Sequence, residues 1–272
     1  MLFVEASGAK IPAIGLGTWE LEGRTCARVV EQALRLGYRH IDTAQVYDNE
    51  REVGDGLRAS GVRRDDIFLT TKVWTNHFAP HDLERSVKES LARLRLPSVD
   101  LLLLHWPNSH VPLAETLGAL SHAKRMGLTR HIGVSNFTVA LMEQAVALSS
   151  EPLVCNQVEY HPYLDQAKVR AACDQHGLAL VAYSPVAKGR IKSDQRLAAI
   201  GRAHRKTPAQ ACLRWLAQQN VAAIPRTSRV ERLSENIDIF DFELSGEEMA
   251  EIAALASPKG RLTDFGFAPK WD

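Results

Sequence analysis

The stretch Val99–His105, with the sequence VDLLLLH, is a short apolar run that ends on a polar side chain. Eight runs of this kind follow one another along the chain, and each is succeeded by a segment whose apolar residues have helical spacing. The other seven runs are Ala13–Leu16, Tyr38–Ile41, Ile67–Lys72, His131–Val134, Val154–Val158, Ala179–Ala182 and Val221–Ile224. Eight strand–helix units in an undivided chain predict an α/β fold, a closed parallel (β/α)₈ or TIM barrel, rather than an open sheet.

The sequence also predicts elements before the first strand and after the last. Leu2–Val4 and Ala9–Ile14 flank a Ser7-Gly8 turn, a pattern typical of a β-hairpin. Two capping boxes, in Thr207–Gln210 and in Ser245–Glu248, indicate helix starts late in the chain. We therefore expect an N-terminal β-hairpin and extra helices late in the chain, around the barrel.

The length of the chain is normal for a single α/β-barrel domain, and the composition is typical of a globular protein. No low-complexity tract or Pro/Gly/Ser linker divides the 272 residues, so we expect one domain over residues 1–272. At a formal net charge of +1, no global field would attract nucleic acid or an anionic membrane. The N-terminal apolar run is too short for a signal peptide, and no stretch approaches the ~18 apolar residues of a membrane span. We expect a cytoplasmic monomer without membrane or nucleic-acid partners.

The four cysteines are scattered along the chain and form no C-x-x-C pair. They are Cys26, Cys155, Cys173 and Cys212. Such spacing is typical of small core side chains, and a disulfide framework or a zinc site is the weaker interpretation. We therefore predict no metal site.

Polar side chains are concentrated where the predicted strands end. They are Asp42, Lys72, His105, Ser135, Asn136, Gln157, Tyr183, Arg226 and Thr227. In a (β/α)₈ barrel the carboxyl ends of all strands meet at one mouth, and active sites lie there. The sequence therefore predicts a site at this rim.

Four residues of the rim suggest acid catalysis on a carbonyl group: Asp42, Tyr47, Lys72 and His105. A carbonyl that accepts hydride needs a proton on its oxygen. Free tyrosine, with a pKa of about 10, is a weak donor near neutral pH, but a neighbouring ammonium such as that of Lys72 lowers the pKa. Asp42 would hold the lysine, and His105 would hydrogen-bond and orient the carbonyl oxygen.

Each of the four has a structural alternative when it is taken alone. Asp42 fits a turn cap, Tyr47 a packed aromatic, Lys72 a solvated strand end and His105 a satisfied core histidine. The functional hypothesis depends on all four falling at neighbouring strand ends. This shared position favours a catalytic role for the set over four separate structural roles.

The phosphate-binding part of the site is predicted after the last strand. Gly15-Leu16-Gly17 is a weak dinucleotide signal, because Glu20 stands where a third glycine belongs. Ile224–Arg229 is the better candidate, since Ser228 with Glu231 forms a capping box whose free helix N–H groups would favour an anion. Three arginines add positive charge: Arg226, Arg229 and Arg232. A solvated basic helix end is the alternative interpretation.

In these stretches the chain resembles the aldo-keto reductase family. The matching segments are Gly37–Ala44 with Tyr47, Thr70–Trp74, Leu104–Pro107, Ile132–Phe137, Asn156–Tyr163 and Ala182–Pro185. They occur in the family's order from about Ile11 to the C-terminus. The closest likeness is to short bacterial members that reduce 2,5-diketo-D-gluconate and methylglyoxal, and the ending Ala268–Asp272 strengthens it.

The resemblance implies the four roles given above and NADPH/NADP as cofactor. It implies that Ser135, Asn136 and Gln157 hydrogen-bond the nicotinamide carboxamide while Tyr183 stacks on the ring. It places Glu235 and Asn236 near the adenine. The full set of implied cofactor contacts is Gly17, Thr18, Trp19, Ser135, Asn136, Gln157, Tyr183, Ser184, Val186, Lys188, Arg226, Thr227, Ser228, Arg232, Glu235 and Asn236. Arg226-Thr227 stands where the family often has Lys-Ser, which leaves the strength of the NADPH preference open.

Aromatic residues at the strand ends predict the substrate pocket. The predicted substrate contacts are Trp19, Tyr47, Trp74, His105 and Trp106, and the tail Phe265–Phe267 would add a wall. Short connections after Trp106 and Tyr183 predict an open, permissive pocket. The predicted function is NADPH-dependent reduction of small aldehydes, ketones and α-dicarbonyls to alcohols, with Tyr47 as general acid.

Two other functions remain open from the sequence. A Schiff-base aldolase could use Lys72 as the attacking amine, but it leaves the nicotinamide residues and the arginines without a role. A cofactor-binding regulatory protein without turnover is the second alternative, because a fold does not fix a function. The presence of all four acid-catalysis residues argues against it.

Overall fold

The computed structural model describes residues 2–257 and 259–272. Within them, a two-stranded antiparallel hairpin precedes a sheet of eight parallel strands that follow the order of the chain. The hairpin strands are β1 (Phe3–Ala6) and β2 (Ala9–Pro12). The barrel strands are β3 (Leu16–Gly17), β4 (His40–Asp42), β5 (Phe68–Val73), β6 (Val99–Leu104), β7 (Thr129–Ser135), β8 (Leu153–Glu159), β9 (Ala179–Tyr183) and β10 (Ala222–Ala223). The expected hairpin and (β/α)₈ architecture are confirmed.

Helices connect the strands and surround the sheet. They are α1 (Gly23–Arg35), α2 (Glu50–Ser60), α3 (Pro80–Leu94), α4 (Leu113–Arg125), α5 (Val139–Leu148), α6 (Ala167–Gln175), α7 (Gln195–Ala203), α8 (Pro208–Gln218), α9 (Glu231–Ile237) and α10 (Gly246–Ala253). Shorter 3₁₀ segments occupy Gln45–Tyr47, Arg64–Asp66, Thr75–His77 and Ala187–Ser193. The extra helices expected late in the chain are present. None of the helices in the described residues combines the length and the apolar character needed to cross a membrane.

The barrel closes where the first strand meets the last. Gly15 N donates to the Ala223 carbonyl oxygen at 2.9 Å, and Gly17 forms a parallel bridge with Arg226. The predicted run Ala13–Leu16 therefore divides its pairing, because its first half pairs with β10 while Leu16 pairs with Ile41 of β4. A Cβ on Gly17 would stand 2.8 Å from the Ile224 carbonyl oxygen, so this position has room only for glycine.

Alternate residues of β6 supply two separate cores. Leu102 and Leu104 pack in the cluster that contains the helix side chains, whereas Leu101 and Leu103 belong to the cluster inside the barrel. This explains the continuous leucine run, since a parallel strand covered on both faces has no polar side. Val4 and Ile11 join the inner cluster. The hairpin therefore plugs the end of the barrel opposite the strand mouths. All four cysteines are buried free thiols, as expected for core residues.

Two of the three predicted capping boxes form. Thr207 with Gln210 opens α8, and Ser245 with Glu248 opens α10. The box of Ser228 with Glu231 is wrong: α9 begins after Val230, without a side-chain cap. The reason is local, because the Thr227 hydroxyl oxygen accepts from Arg229 N at 3.0 Å and turns the chain before the helix.

A pair of glycine substitutions tests the closure. Gly17→Ala should lower the free energy of unfolding by about 1–3 kcal/mol, because the new methyl group meets backbone that cannot move without opening the barrel. Gly118→Ala is the matched control. A Cβ there meets nothing within 4 Å, and an exposed alanine in α4 should stabilise by about 0.5–1 kcal/mol. Urea unfolding midpoints measure both, and a Gly17→Ala protein as stable as the parent would contradict this account of the closure.

Candidate active site

A cavity of about 510 Å³ opens at the carboxyl ends of the barrel strands. Most of the predicted site residues line it: Gly17, Thr18, Trp19, Asp42, Tyr47, Trp74, His105, Trp106, Asn136, Gln157, Tyr183, Ser184, Val186, Lys188, Arg226, Thr227, Arg232, Glu235 and Asn236. Lys72 and Ser135 lie behind this wall, fully buried, and Ser228 is exposed outside it. The strand ends thus bring most of the predicted set together.

Asp42, Lys72 and Tyr47 form one cluster in the cavity wall. Lys72 Nζ lies 2.5 Å from Asp42 Oδ1 and donates to the Thr43 carbonyl oxygen at 2.9 Å. The Tyr47 hydroxyl, on the 3₁₀ turn after β4, lies 3.4 Å from the same ammonium. Gln157 Nε2 donates to the other Asp42 oxygen at 2.8 Å. The carboxylate is therefore held from two sides, and the ammonium is directed at the phenol.

Electrostatics keep the phenol of this cluster protonated. Burial raises the pKa of Tyr47, and the Lys72 ammonium offsets only part of that rise. The net lowering expected from the sequence is wrong, because desolvation of the phenolate exceeds the effect of the lysine. Burial lowers the pKa of Lys72, but Asp42 and Tyr47 outweigh it and the net pKa lies above the usual value. A neutral phenol thus faces an ammonium at neutral pH.

His105 follows β6 and stands between two aromatic rings. Its centroid lies 5.6 Å from that of Tyr47 and 5.1 Å from that of Trp74, both edge-on. Burial, with a smaller effect from the Lys72 ammonium, puts the pKa of His105 well below its usual value. The imidazole is therefore neutral near pH 7, and it can offer a hydrogen bond to the cavity without acting as a charged acid.

The residues predicted for the nicotinamide form a connected network. Asn136, with a φ of +62°, donates through Nδ2 to the His105 carbonyl oxygen at 3.0 Å and accepts the Tyr183 hydroxyl at 2.8 Å. The Ser135 hydroxyl donates to the Gln157 carbonyl oxygen at 2.8 Å. Ser135 also accepts from Asn136 Nδ2 at 3.1 Å, so it holds the Asn136 side chain and the Gln157 backbone from behind, while the two amides and the tyrosine face the cavity.

The three arginines near the last strand take different positions. Arg232 lines the cavity, and Arg229 is exposed outside it. Arg226 lines the cavity too, but its Nε donates to the Trp19 carbonyl oxygen at 3.1 Å and its Nη2 to that of Glu20 at 2.8 Å. Arg226 is thus engaged with the loop after β3, and Arg232 is the better-placed cation for an anionic group in the cavity.

The aromatic rim is closed by the end of the chain. Trp106 is only 3% exposed because Phe265, Phe267 and Trp271 pack on it at centroid distances of 5.6, 5.5 and 6.0 Å. Phe267 also meets Trp74 edge-on at 5.9 Å, and Phe265 lines the cavity. The tail therefore forms the wall that the sequence indicated.

The connection after β9 covers more of the cavity than the sequence suggested. Ser184–Asp194 contains the 3₁₀ segment Ala187–Ser193, and Lys188 at a φ of +51° places its ammonium 5.2 Å from the Trp19 ring centroid. The cavity is thus less open on this side than a short connection would leave it.

Several lining residues had no place in the predicted site: Glu20, Val46, Pro185, Gly189, Ile191, Lys192, Ala209 and Thr263. One signal could have found Lys192, since Lys188–Lys192 is a short basic segment soon after a strand end. The apolar members and Thr263 have no local pattern that separates them from core or tail residues.

The geometry of the site also bears on the aldolase alternative and on metal binding. Lys72 is fully buried, bound to Asp42 and protonated, so the aldolase alternative lacks a free amine in contact with the cavity. Among the described residues, no group of three or more His, Cys, Asp or Glu side chains is placed to hold a metal ion.

Comparison with known proteins agrees with the resemblance seen in the motifs. A sequence profile described as the Aldo/keto reductase family matches residues 13–257. The chain is similar to the methylglyoxal reductase DkgB of Escherichia coli O157:H7, with 43% identity over 265 residues that cover 96% of this chain and 99% of that protein.

Solved structures show the same relationship. A crystal structure provisionally described as a 2,5-diketo-D-gluconic acid reductase B has 50% identity and a TM-score of 0.98, and the match covers 100% of this chain and 98% of that one. A Bombyx mori aldo-keto reductase in complex with NADP has 33% identity and a TM-score of 0.89, with 96% and 93% covered. The chain belongs to the aldo/keto reductase family and is therefore an oxidoreductase that acts on carbonyl compounds.

Proposed function

We propose that this protein reduces small aldehydes, ketones and α-dicarbonyls to alcohols with NADPH, and that Tyr47 donates the proton. One observation carries the proposal: the Tyr47 hydroxyl stands in the cavity wall 3.4 Å from the buried Lys72 ammonium, next to a neutral His105. The monomeric state and the cytoplasmic location expected from the sequence stay predictions.

The residues of the cavity fit a nicotinamide dinucleotide phosphate. The Tyr183 ring offers a flat apolar surface, and the side-chain amides of Asn136 and Gln157 offer hydrogen-bonding groups beside it. Arg232 and Thr227 offer a cation and a hydroxyl for phosphate oxygens at another part of the same cavity. When bound, the cofactor supplies the hydride that the carbonyl carbon accepts.

The proton comes from Tyr47 because its phenol is protonated and close to a cation. As the carbonyl oxygen gains negative charge, the phenol transfers its proton, and the Lys72 ammonium stabilises the phenolate that is left. The neutral imidazole of His105 donates a hydrogen bond to the same oxygen and orients it. Asp42 keeps the ammonium in place at 2.5 Å.

The substrate class follows from the cavity walls and from the names of the relatives. Trp19, Trp74 and Trp106 give flat apolar walls that accept small carbonyl compounds without selecting one functional group. Two of the similar proteins are described as acting on methylglyoxal and on 2,5-diketo-D-gluconic acid, which both carry more than one carbonyl group. Small α-dicarbonyls are therefore the substrates we propose first.

Replacing the proposed acid tests the mechanism. Tyr47→Phe keeps the ring but removes the proton, so kcat for methylglyoxal and other small α-dicarbonyls should fall by about 10²–10⁴, the usual contribution of general acid catalysis. NADPH binding, measured by fluorescence titration, should stay unchanged. Tyr160→Phe is the control, because that hydroxyl donates to Gln219 at 2.8 Å rather than to the cluster. Near-normal turnover by Tyr47→Phe would show that another group is the general acid. A wild-type protein that binds NADPH but reduces no carbonyl would favour the regulatory alternative.

The pH dependence separates Tyr47 from His105 as donors. A donor must be protonated, and the pKa of Tyr47 is raised above its ordinary value of about 10. Reduction should therefore stay level between about pH 6.5 and pH 9 and decline only on a more alkaline limb. The pKa of His105 is lowered, so a histidine donor would lose its proton, and the enzyme its rate, as the pH rises through a value below about 6.5. Single-turnover rates at saturating NADPH measure this, and a rate that already declines as the pH rises through the range below about 6.5 would assign the acid to His105.

A third experiment addresses cofactor choice. Arg232→Ala should weaken NADPH binding by about 1–3 kcal/mol, roughly 5- to 150-fold, while NADH binding barely changes. The physical reason is loss of a charge-assisted contact to a phosphate that NADH lacks. Arg229→Ala is the matched control, since it removes the same charge outside the cavity. Equal losses for both cofactors in Arg232→Ala would show that Arg232 does not distinguish them.

A further inference from the structure

The buried carboxylate of Glu159, at the end of β8, binds the backbone of the C-terminal segment, residues 261–272. Glu159 has no exposed side-chain surface. Its Oε1 accepts the backbone N–H of Leu262 and its Oε2 that of Thr263, both at 2.7 Å. His161 Nε2 lies 2.9 Å from Oε1 and completes the donor set. Both oxygens thus accept hydrogen bonds, and two of the three donors belong to residues more than 100 positions away.

The charge on this carboxylate is stabilised locally. Burial raises the pKa of Glu159, but the His161 ring and the two backbone amides outweigh it and the net pKa lies below the usual value. A carboxylate buried without partners would instead take up a proton. The ionised form is therefore tied to the presence of Leu262 and Thr263 at this point.

The residues just before Leu262 pack closely against the backbone of Tyr163. Gly260 passes so close to the backbone of Tyr163 that a Cβ would lie 1.6 Å from its carbonyl oxygen. The same carbonyl oxygen accepts Ser257 N at 3.1 Å. The approach of the segment is thus fixed immediately before the two amides that Glu159 binds.

After its contact with Glu159, the C-terminal segment forms part of the cavity wall. Thr263 and Phe265 line it, and Phe265 stacks on Phe267 at a centroid distance of 5.4 Å. At the far end the Asp272 carboxylate accepts Val139 N, at the start of α5, at 3.0 Å. The segment crosses the rim between these two attachments, and the contacts that reach the cavity between them are aromatic.

We propose that Glu159 is a positioning residue that sets the affinity for the carbonyl substrate by holding the segment 261–272 against the cavity. Glu159 itself lies outside the cavity wall and acts through Thr263 and Phe265. The inference rests on the proposed function, because it assumes that the substrate occupies the space beside Phe265. Sequence alone could not supply it, since neither amide has a side-chain signal.

The decisive variant is Glu159→Gln. A carboxamide keeps one oxygen for one amide but turns its NH₂ group toward the other, so one of the two N–H groups loses its acceptor. Hydrogen exchange of the Leu262 and Thr263 amides should become faster. KM for methylglyoxal should rise roughly tenfold while kcat stays within about twofold, because binding rather than the chemical step is affected. NADPH affinity should not change.

Two further variants distinguish positioning from general damage. Glu248→Gln is the matched control, since Glu248 also accepts a backbone N–H, at 2.8 Å, and pairs with a histidine Nε2, at 2.9 Å, but on the outer helix α10. It should leave KM unchanged. Phe265→Ala should raise KM, and in the double variant Glu159→Gln should add little more, because both changes remove the same wall.

The outcomes separate this inference from the proposed function. Slow exchange at both amides in Glu159→Gln, or additive effects with Phe265→Ala, would overturn it, as would an unchanged KM beside fast exchange. If Glu159→Gln does not fold, Glu159→Asp retracts the charge by one methylene and should give the same pattern more weakly. If the wild-type protein reduces no carbonyl, the proposed function fails, and exchange still decides whether Glu159 holds the segment.

Discussion

The ammonium of Lys72 lies in the barrel wall with no exposed surface, and its charge must be compensated there. An isolated buried charge costs several kcal/mol, whereas a paired and hydrogen-bonded one is tolerated. Its partners are Asp42, the Thr43 carbonyl oxygen and the Tyr47 hydroxyl, all on β4 or the turn that follows it. Since Asp42 pairs with Thr70 in a fixed register of β4 on β5, a slip of one residue would point Lys72 to the other face. The chemistry of the site therefore depends on this strand pairing.

The same constraint extends around the mouth of the barrel. The second oxygen of Asp42 binds the Gln157 amide, the backbone of Gln157 accepts the Ser135 hydroxyl, and Asn136 binds that hydroxyl and the backbone of His105. Groups from β4, β7 and β8 are thus fixed relative to one another before any ligand arrives. Such prior fixation is what allows dipoles and donors to stabilise a developing charge without rearranging.

The sequence predicted what is local or follows from the barrel geometry. Eight apolar runs predicted the architecture, and the strand-end rule brought most of the site together. The cap at Thr207 formed because its partner Gln210 is only three positions away in the chain. Ser228 failed as a cap because the hydroxyl of Thr227 makes a competing turn. The net pKa of Tyr47 could not be predicted, since burial is a tertiary property. Glu159 was missed for a related reason: its partners are backbone amides 103 and 104 residues away.

The joint between the first and last strands of the barrel is formed by very short stretches of chain. β3 and β10 are each only two residues long, and the chain pairs across the joint through two isolated bridges, Ile14 with Ala223 and Gly17 with Arg226. Residues on both sides of this joint, including Trp19 and Thr227, line the cavity. A molecule bound across this joint would connect the two ends of the sheet where they are paired over only a few residues. Binding of such a molecule would raise the free energy of unfolding through mass action. A ligand at this joint would therefore stabilise the barrel as well as take part in the reaction.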